Sequence, residues 1–576
     1  MDFFQPTESE LTHYLFFTGK GGVGKTTVAS ATAIKLANIG HQVAIISTDP
    51  ASNLQDVFKT ELDDKLKQIT TVPNLYAANF DPLEATAKYK ENVVGPYRDI
   101  LPAAAIENME EQLSGSCTVE IAAFNEFAEF LTDPEVDQRF DYIIFDTAPT
   151  GHALRMLQLP SAWNDYLDEN QRGASCLGQL AGLKDKKKAY SKAVETLSDP
   201  NLTTLMIISR PEKSSLLEAD RACQELDQIG MKNQLLVING VLQQPNDDPS
   251  QFIYRQQQQD IAQMPDNLAD KTNYYLPLRP YNVIGIDRLR HLFDDQMVVE
   301  STAITKGTNY PKLNKIVDHL LETNKKIVFT MGKGGVGKTT IAVKIAEKLA
   351  QAGKTVNLAT TDPADHLNQF KIDDQRITIS HIDEQLALKA YQNEVITKAE
   401  KSMSADDLDY IKEDLRSPCT QEIAVFRRFA EIIADNRSDV VVIDTAPTGH
   451  TLLLLDSTQK YAEQVKKTTG SVPKSITDLL PKLQDHQQTE IIMVTLPETT
   501  PVYESLRLNQ DLDRVDILHD WWVVNQSMVG IQTDNPFLEV RAENEVEWID
   551  KIAEVSHGKF VVENWDLDFE KEFLKV

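Results

Sequence analysis

The chain of 576 residues is longer than the roughly 250 to 300 residues that one hydrophobic core usually organises, so two domains are expected. Its 87 acidic and 58 basic side chains give a formal charge of −29, which disfavours nucleic acid and anionic lipid surfaces as partners. No run of about 18 apolar residues occurs and the N-terminus lacks the regions of a signal peptide, so the sequence predicts a cytoplasmic protein with no transmembrane segment of its own.

The first predicted unit along the chain is a short apolar strand, a glycine-rich loop and a helix, and this unit occurs twice. The loop reads GKGGVGKTT at residues 19–27 and again at residues 332–340. This is the P-loop pattern, in which glycine N–H groups turn onto phosphate oxygens, the lysine reaches the β- and γ-phosphates, and the first threonine meets Mg²⁺. The loop residues predicted to bind Mg·ATP are Gly19, Gly21, Gly22, Gly24, Lys25, Thr26 and Thr27, and Gly332, Gly334, Gly335, Gly337, Lys338, Thr339 and Thr340.

The next repeated motif is a short sequence that contains aspartate. STDPA at residues 47–51 returns as TTDPA at residues 360–364, each at the end of the strand that follows the P-loop helix. Asp49 and Asp362 can therefore approach the γ-phosphate. The sequence leaves open whether they position the attacking water or bind Mg²⁺.

A second aspartate motif recurs further along. FDTAPTGH at residues 145–152 returns as IDTAPTGH at residues 443–450. Asp146 and Asp444 end apolar strands, the position from which a P-loop ATPase holds Mg²⁺ directly or through water. We therefore count both among the nucleotide-binding residues.

The pattern of repeats predicts two doubly wound α/β domains. Val- and Ile-rich strands without alternation, separated by helical stretches, indicate a mostly parallel sheet that is covered on both faces. Such sheets bind ligands at the carboxyl ends of their strands. The predicted boundaries are 1–291 for the first half, 292–311 for a linker and 312–576 for the second half, which begins with a helix over 312–324.

The four cysteines are too widely spaced for a CxxC signature. Cys117 and Cys419 occupy equivalent places in the repeat LSGSCT and LRSPCT, whereas Cys176 has no counterpart. From spacing alone, buried core thiols are the ordinary interpretation of these three. Cys223 falls on the apolar face of a helical pattern, so we assign it to the core.

At these motifs the chain resembles the deviant Walker A ATPases, and within them the arsenical pump-driving ATPase (ArsA) family. The resemblance covers nearly all 576 residues, including the layout of two halves in one chain. It implies an ATPase that is stimulated by As(III) or Sb(III) and drives a membrane arsenite efflux permease. It also implies a monomer whose pseudo-symmetric halves face each other, bound to the inner face of the membrane through the permease, with a metalloid-delivering chaperone as a further partner.

The resemblance assigns roles to residues near the nucleotide. Lys20 and Lys333, second in each loop, would reach the nucleotide of the other half, although a solvated lysine is the simpler alternative. Asn239 and Asn525 follow late strands where related ATPases read adenine, although an asparagine in a turn is common.

The resemblance also assigns a metalloid site. Cys117, Cys176 and Cys419 match its thiol ligands, and three soft thiolates suit a trivalent, thiophilic metalloid. His152 and His450, at the ends of the two DTAPTGH motifs, would contribute to that site, although a histidine that merely starts a helix is an alternative.

Two other functions fit the sequence less well. A targeting factor for tail-anchored membrane proteins uses the same ATPase core, but this chain has no CxxC zinc site and its inserted segments are too charged for an apolar, Met-rich groove. A partitioning or division-site ATPase needs a basic DNA-binding or amphipathic membrane element, and the sequence shows neither.

Overall fold

The chain forms two compact units, one of residues 1–245 and 251–298 and one of residues 246–250 and 299–576. The computed structural model describes residues 1–7, 11–48, 54–80, 82–98, 100–102, 106, 109–110, 113, 116–147, 183–294, 309–360, 367, 370–400, 412, 415, 418–435, 437–445, 478–514, 517 and 519–565.

A nine-stranded sheet lies at the centre of the first unit. Its strands are β1 (Asp2–Phe3), β2 (Tyr14–Thr18), β3 (Val43–Ser47), β4 (Lys67–Gln68), β5 (Leu75–Asn79), β6 (Tyr142–Asp146), β7 (Thr203–Ser209), β8 (Gln234–Val241) and β9 (Thr272–Pro277). The order across the sheet is β1-β9-β8-β7-β2-β6-β3-β5-β4. Neighbouring strands are parallel except for the pair β4 and β5, which is antiparallel.

A seven-stranded parallel sheet lies at the centre of the second unit. Its strands are β10 (Ile327–Met331), β11 (Val356–Thr360), β12 (Ile377–His381), β13 (Val440–Asp444), β14 (Thr489–Thr495), β15 (Trp521–Ser527) and β16 (Phe560–Asn564). The order is β12-β11-β13-β10-β14-β15-β16, which repeats the first sheet without counterparts of β1 and β4. The two halves are therefore copies of one topology.

Helices follow the strands in both units. They are α1 (Lys25–Asn38), α2 (Leu54–Phe58), α3 (Pro82–Val94), α4 (Ser116–Thr132), α5 (Pro134–Arg139), α6 (Leu183–Ser198), α7 (Lys213–Gln228), α8 (Asp248–Ala262), α9 (Asp266–Ala269), α10 (Ile286–Arg290), α11 (Asn314–Glu322), α12 (Lys338–Gln351), α13 (Glu384–Ala399), α14 (Pro418–Ala434), α15 (Leu479–Leu483), α16 (Thr499–Arg514) and α17 (Pro536–Val555). No helix in these described ranges combines the length and the apolar character needed to cross a bilayer.

The central strands are buried along their whole length because helices cover both faces of each sheet. In the first unit the ring of Phe16 on β2 stacks on that of Phe145 on β6, with centroids 4.6 Å apart. Truncating such a buried aromatic side chain to alanine typically costs about 3 to 5 kcal/mol of stability. This packing fixes the positions of the central strands, and therefore the positions of the loops at their carboxyl ends.

The predicted fold class is confirmed, and the strands predicted next to the P-loops and the aspartate motifs are observed as β2, β3 and β6 and as β10, β11 and β13. The helix predicted over 312–324 is observed as Asn314–Glu322. Six further strands were not predicted: β1, β4, β5, β9, β12 and β16. Of these, β1 and β4 have two residues each, too few to carry a pattern. The predicted linker starts at Leu292, and the structure buries Leu292 and Phe293 in the core of the first unit.

Candidate active site

Each P-loop turns into its helix at a glycine. Gly24 precedes α1 at φ +94°, and Gly337 precedes α12 at φ +90°, both in the left-handed region. A Cβ at Gly24 would lie 2.4 Å from Asn239 Nδ2, and one at Gly337 would lie 2.2 Å from Asn525 Nδ2. Only glycine meets both demands, and the loop brings backbone N–H groups and a helix N-terminus to one place, which is the arrangement that binds phosphate.

The start of each loop packs directly on a neighbouring strand. A Cβ at Gly19 would lie 2.1 Å from the carbonyl oxygen of Ile208 on β7, and one at Gly332 would lie 2.1 Å from that of Val494 on β14. A side chain is therefore excluded, and the position of the loop against the sheet is fixed. The other predicted loop residues lie in the loop and the first helical turn: Gly21, Gly22, Thr27, Gly334, Gly335 and Thr340.

The P-loop lysines fold back over their own loops. Lys25 and Lys338 are each 7% exposed. Lys25 Nζ donates to the carbonyl oxygen of Lys20 at 3.3 Å, and Lys338 Nζ donates to that of Lys333 at 3.0 Å. Each ammonium group is thus positioned at the loop that is shaped to hold phosphate.

A threonine and an aspartate meet beside each loop. The Thr26 hydroxyl donates to Asp146 Oδ2 at 2.7 Å, and the Thr339 hydroxyl donates to Asp444 Oδ2 at 2.7 Å. Both aspartates are 1% exposed and stand at the carboxyl ends of β6 and β13. Hydroxyl and carboxylate oxygens are hard donors of the kind Mg²⁺ prefers, so the residues present fit that ion.

The lysine at the second position of each loop pairs with a glutamate of its own unit. Lys20 Nζ lies 3.7 Å from Glu218 Oε2 on α7, and Lys333 Nζ lies 2.5 Å from Glu504 Oε1 on α16. The side chains of the second pair are 16% and 5% exposed, and those of the first pair are 19% and 12% exposed. Neither lysine is simply solvated.

The two asparagines after β8 and β15 contact the P-loop backbone. Asn239 Nδ2 donates to the carbonyl oxygen of Val23 at 2.8 Å, and Asn525 Nδ2 donates to that of Val336 at 2.9 Å. The amide groups therefore support the loop just before its final glycine. Their contact with adenine stays a prediction.

A buried polar side chain braces the exit of β8 and of β15, and the two halves use different chemistry. In the first half Gln257 accepts from the Leu242 N–H at 2.8 Å. In the second half Glu545 Oε2 accepts from the Met528 N–H at 2.7 Å and from the hydroxyl of Ser527 at 2.9 Å. Burial raises the pKa of Glu545 to about 7, although Arg541 and these hydrogen bonds oppose that shift.

Sequence reasoning missed both glutamate–lysine pairs and both braces. A signal was available for the pairs, because the offset of 286 that relates β7 to β14 continues into the helices, where PE at 211–212 matches PE at 497–498 and Glu218 matches Glu504. The braces join residues 15 to 18 positions apart through packing, and sequence periodicity carries no sign of that contact.

Several predicted residues fall beyond what the structure describes. Asp49, His152, Cys176, Asp362 and His450 lie outside the described residues. Their predicted roles therefore stay predictions.

The backbone of the two equivalent cysteines is described, but their side chains are not. Cys117 is the second residue of α4, and Cys419 is the second residue of α14. Within the part of the chain that the structure covers, no three His, Cys, Asp or Glu side chains are grouped as metal ligands. Cys223 is fully buried, as predicted, and burial raises its pKa to about 12, so it is an unreactive core thiol.

The geometry defines a P-loop nucleotide-binding protein with two phosphate-binding loops, each accompanied by a lysine, a threonine and an aspartate. A model of the anion-transporting ATPase (ArsA) family matches residues 12–298, 325–480 and 456–570. The chain belongs to this family and is an ATP hydrolase.

Similar proteins extend over nearly the whole chain. An arsenical pump-driving ATPase of Escherichia coli is 44% identical over 547 residues, which cover 94% of each chain. A putative arsenical pump-driving ATPase of Halobacterium salinarum is 34% identical over 589 residues, covering 95% of this chain and 90% of the relative. ATPase GET3A of Arabidopsis thaliana is 32% identical over 343 residues, covering 91% of that relative but 54% of this chain.

Proposed function

We propose that this ATPase is stimulated by arsenite or antimonite and powers metalloid efflux through a membrane permease. The main support is the match over 94% of its length to relatives named arsenical pump-driving ATPases. The proposal places the protein in the cytoplasm, as a monomer that docks onto the permease at the inner face of the membrane. A chaperone that delivers the metalloid is a further proposed partner.

In each half the chain supplies the groups that bind the nucleotide phosphates. Backbone N–H groups of the loop and the ammonium of Lys25 or Lys338 bind the phosphates and stabilise negative charge that develops on them during transfer. Thr26 with Asp146, and Thr339 with Asp444, would hold Mg²⁺. That ion, when bound, neutralises phosphate charge.

Catalysis also needs a group that orients the attacking water. We propose Asp49 and Asp362 for this role or for contact with Mg²⁺, because each follows the strand beside the one that carries Asp146 or Asp444. Lys20 and Lys333 are proposed to add positive charge at the phosphates once nucleotide is bound.

The proposed activating ligand binds to soft thiols. Cys117, Cys176 and Cys419 offer three sulfur donors, which match the three bonds of As(III) or Sb(III), and His152 and His450 are proposed to contribute. The rival function, targeting of tail-anchored membrane proteins, receives less support, because the relatives that match the full length are pump-driving ATPases.

The rate of ATP hydrolysis by the full chain, measured against added antimonite, tests the proposal. We expect the hydrolysis rate to rise with antimonite and to saturate. Prior alkylation of the thiols should abolish this rise, and antimonite bound beforehand should protect the thiols from alkylation. Basal hydrolysis should survive alkylation, because no cysteine lies in either P-loop. A rate that stays flat up to millimolar antimonite would contradict metalloid stimulation while leaving the ATPase assignment intact.

A further inference from the structure

The chemistry described so far does not use two ion pairs, that of Lys20 with Glu218 and that of Lys333 with Glu504. In both, a P-loop lysine that should serve a phosphate contacts a carboxylate on the helix after β7 or β14 instead. Both glutamates are largely buried, with 12% and 5% of their side chains exposed. Ion pairs on an exposed surface contribute little to stability. Opposite charges that are sheltered from water, as in these two pairs, attract each other strongly.

The two glutamates occupy the same position in the two halves. Glu218 is the sixth residue of α7, and Glu504 is the sixth residue of α16. The two helices differ at most of their positions, yet the carboxylate and its lysine are present in both. A chance contact would not be expected at the same position in both copies, so the repeated pair indicates a role linked to the P-loop.

We propose that Glu218 and Glu504 are positioning residues that hold the lysine at the second position of each P-loop away from the phosphate site until nucleotide arrives. Phosphate oxygens and the carboxylate compete for the same ammonium group. Nucleotide binding therefore includes an exchange in which Lys20 or Lys333 leaves its glutamate, and the apparent affinity is lowered by the fraction of molecules in which the lysine is held. This inference rests on the proposed role of these lysines at the phosphates.

The two halves should differ in the strength of this hold. The Lys333 to Glu504 pair is shorter, at 2.5 Å against 3.7 Å, and its glutamate is more buried. Attraction between opposite charges grows as the distance and the exposure to water fall. The second half should therefore release its lysine less readily than the first, which makes the two nucleotide sites unequal before any ligand binds.

Glu504→Gln in the full chain removes the charge and keeps the shape, and Glu218→Gln does the same in the first half. Matched controls on the same helices are Asp511→Asn and Glu225→Gln, which alter exposed ion pairs. Two quantities are measured: acylation of Lys333 and Lys20 located by mass spectrometry, with exposed Lys371 as internal reference, and the Kd of a non-hydrolysed ATP analogue.

We expect Glu504→Gln to raise the acylation rate of Lys333 several-fold and to lower the Kd of the analogue about 3- to 10-fold, with smaller effects from Glu218→Gln and none from the controls. Glu504→Asp, which keeps the charge but shortens the reach, should give intermediate acylation and serves if the glutamine variant fails to fold. Unchanged acylation, or a weaker rather than tighter analogue, would overturn the proposal. An analogue that does not bind the wild type would instead contradict nucleotide binding, and acylation would still report on the pairs.

Discussion

Asn239 and Asn525 each connect a strand end to the P-loop of the same half. Their side-chain amides donate to the carbonyl oxygens of Val23 and Val336, directly before the glycine that starts the P-loop helix. Because a Cβ on that glycine would collide with the amide, the asparagine and the glycine are packed as a pair. The asparagine is thus placed to transmit any contact it makes with the base to the loop that holds the phosphates.

This arrangement predicts that Asn525→Ala weakens nucleotide binding through the loop itself. Loss of one hydrogen bond that is worth about 1 kcal/mol should raise the Kd of ATP and GTP analogues alike by about 5-fold. An additional loss confined to the ATP analogue would measure the predicted adenine contact. Asn273→Ala is the control, since that amide also donates to a backbone carbonyl, that of Ala269, which is not part of a P-loop. Unchanged Kd values for both analogues would show that the hydrogen bond does not support the loop.

Glu545 gives the brace of the second half a pH dependence that the uncharged Gln257 does not give the brace of the first half. Its carboxylate is 2% exposed and lies 3.3 Å from Arg541, which also pairs with Glu498 at 2.6 Å. Burial raises the pKa of Glu545 from 4.5 to about 7. Gln257 holds the equivalent place in the first half without a charge.

The sign of the effect follows from that raised pKa. Between pH 4.5 and 7 the folded chain retains a proton that the unfolded chain has released, so the free energy of unfolding falls as the pH rises through this window. The loss is about 3 kcal/mol, at 1.36 kcal/mol per pKa unit. Glu545→Gln should remove this loss, so the variant should gain stability relative to the wild type between pH 5 and pH 8.

Urea unfolding followed by tryptophan fluorescence measures this difference, since Trp521, Trp522, Trp548 and Trp565, four of the five tryptophans of the chain, lie in the second half. Glu547→Gln, an exposed change on the same helix, is the control. A stability difference between Glu545→Gln and wild type that is constant from pH 5 to pH 8 would contradict the raised pKa.

Among the structural elements, α4 and α14 each begin at the residue before a cysteine. Cys117 and Cys419 therefore lie in the first turn of their helices. The repeat therefore places one of the proposed metalloid ligands at the same helical position in each half.

Replacing Cys117, Cys176 or Cys419 singly by serine should raise the antimonite concentration needed for half-maximal stimulation by at least 10-fold, because serine offers a hard, protonated oxygen. Cys223→Ser should leave stimulation unchanged, with a stability cost of about 1 to 2 kcal/mol for a hydroxyl in the core. The measurement is the ATPase rate against antimonite for each variant. X-ray absorption that finds fewer than three sulfur neighbours per antimony would contradict the three-thiol site.

The central strands of both sheets could be predicted because parallel strands buried on both faces appear in the sequence as unbroken Val- and Ile-rich runs. The P-loops could also be predicted, because their pattern consists of nine consecutive residues. The contacts of Lys333 with Glu504 and of Asn525 with Val336 join residues 171 and 189 positions apart and depend on which helix packs against which strand end. The repeat could therefore align Glu504 with Glu218, but it could not show that either one pairs with a lysine. Electrostatic placement of this kind is set by the folded packing and not by local pattern.

For the whole molecule, two copies of one fold do not imply two equal sites. The copies keep the loop, the threonine and the aspartate, but differ in the brace after β8 and β15 and in the length of the lysine to glutamate pair. On the proposal made above, such differences give the two halves different intrinsic affinities for nucleotide. An effector that acts on the whole chain must then change the nucleotide affinity of both halves.

If metalloid stimulates hydrolysis by binding better to the nucleotide-loaded chain, linkage requires reciprocity. A non-hydrolysed ATP analogue that tightens antimonite binding by some factor must itself be tightened by antimonite by the same factor, which coupling energies of about 1 to 3 kcal/mol place between 5- and 150-fold. Calorimetric titration of each ligand, alone and with the other saturating, measures both factors. In Cys176→Ser the analogue should bind as in the wild type without antimonite and should no longer respond to it. Equal antimonite affinities with and without the analogue in the wild type would show that stimulation acts on a later step, such as product release, and not on the binding equilibrium.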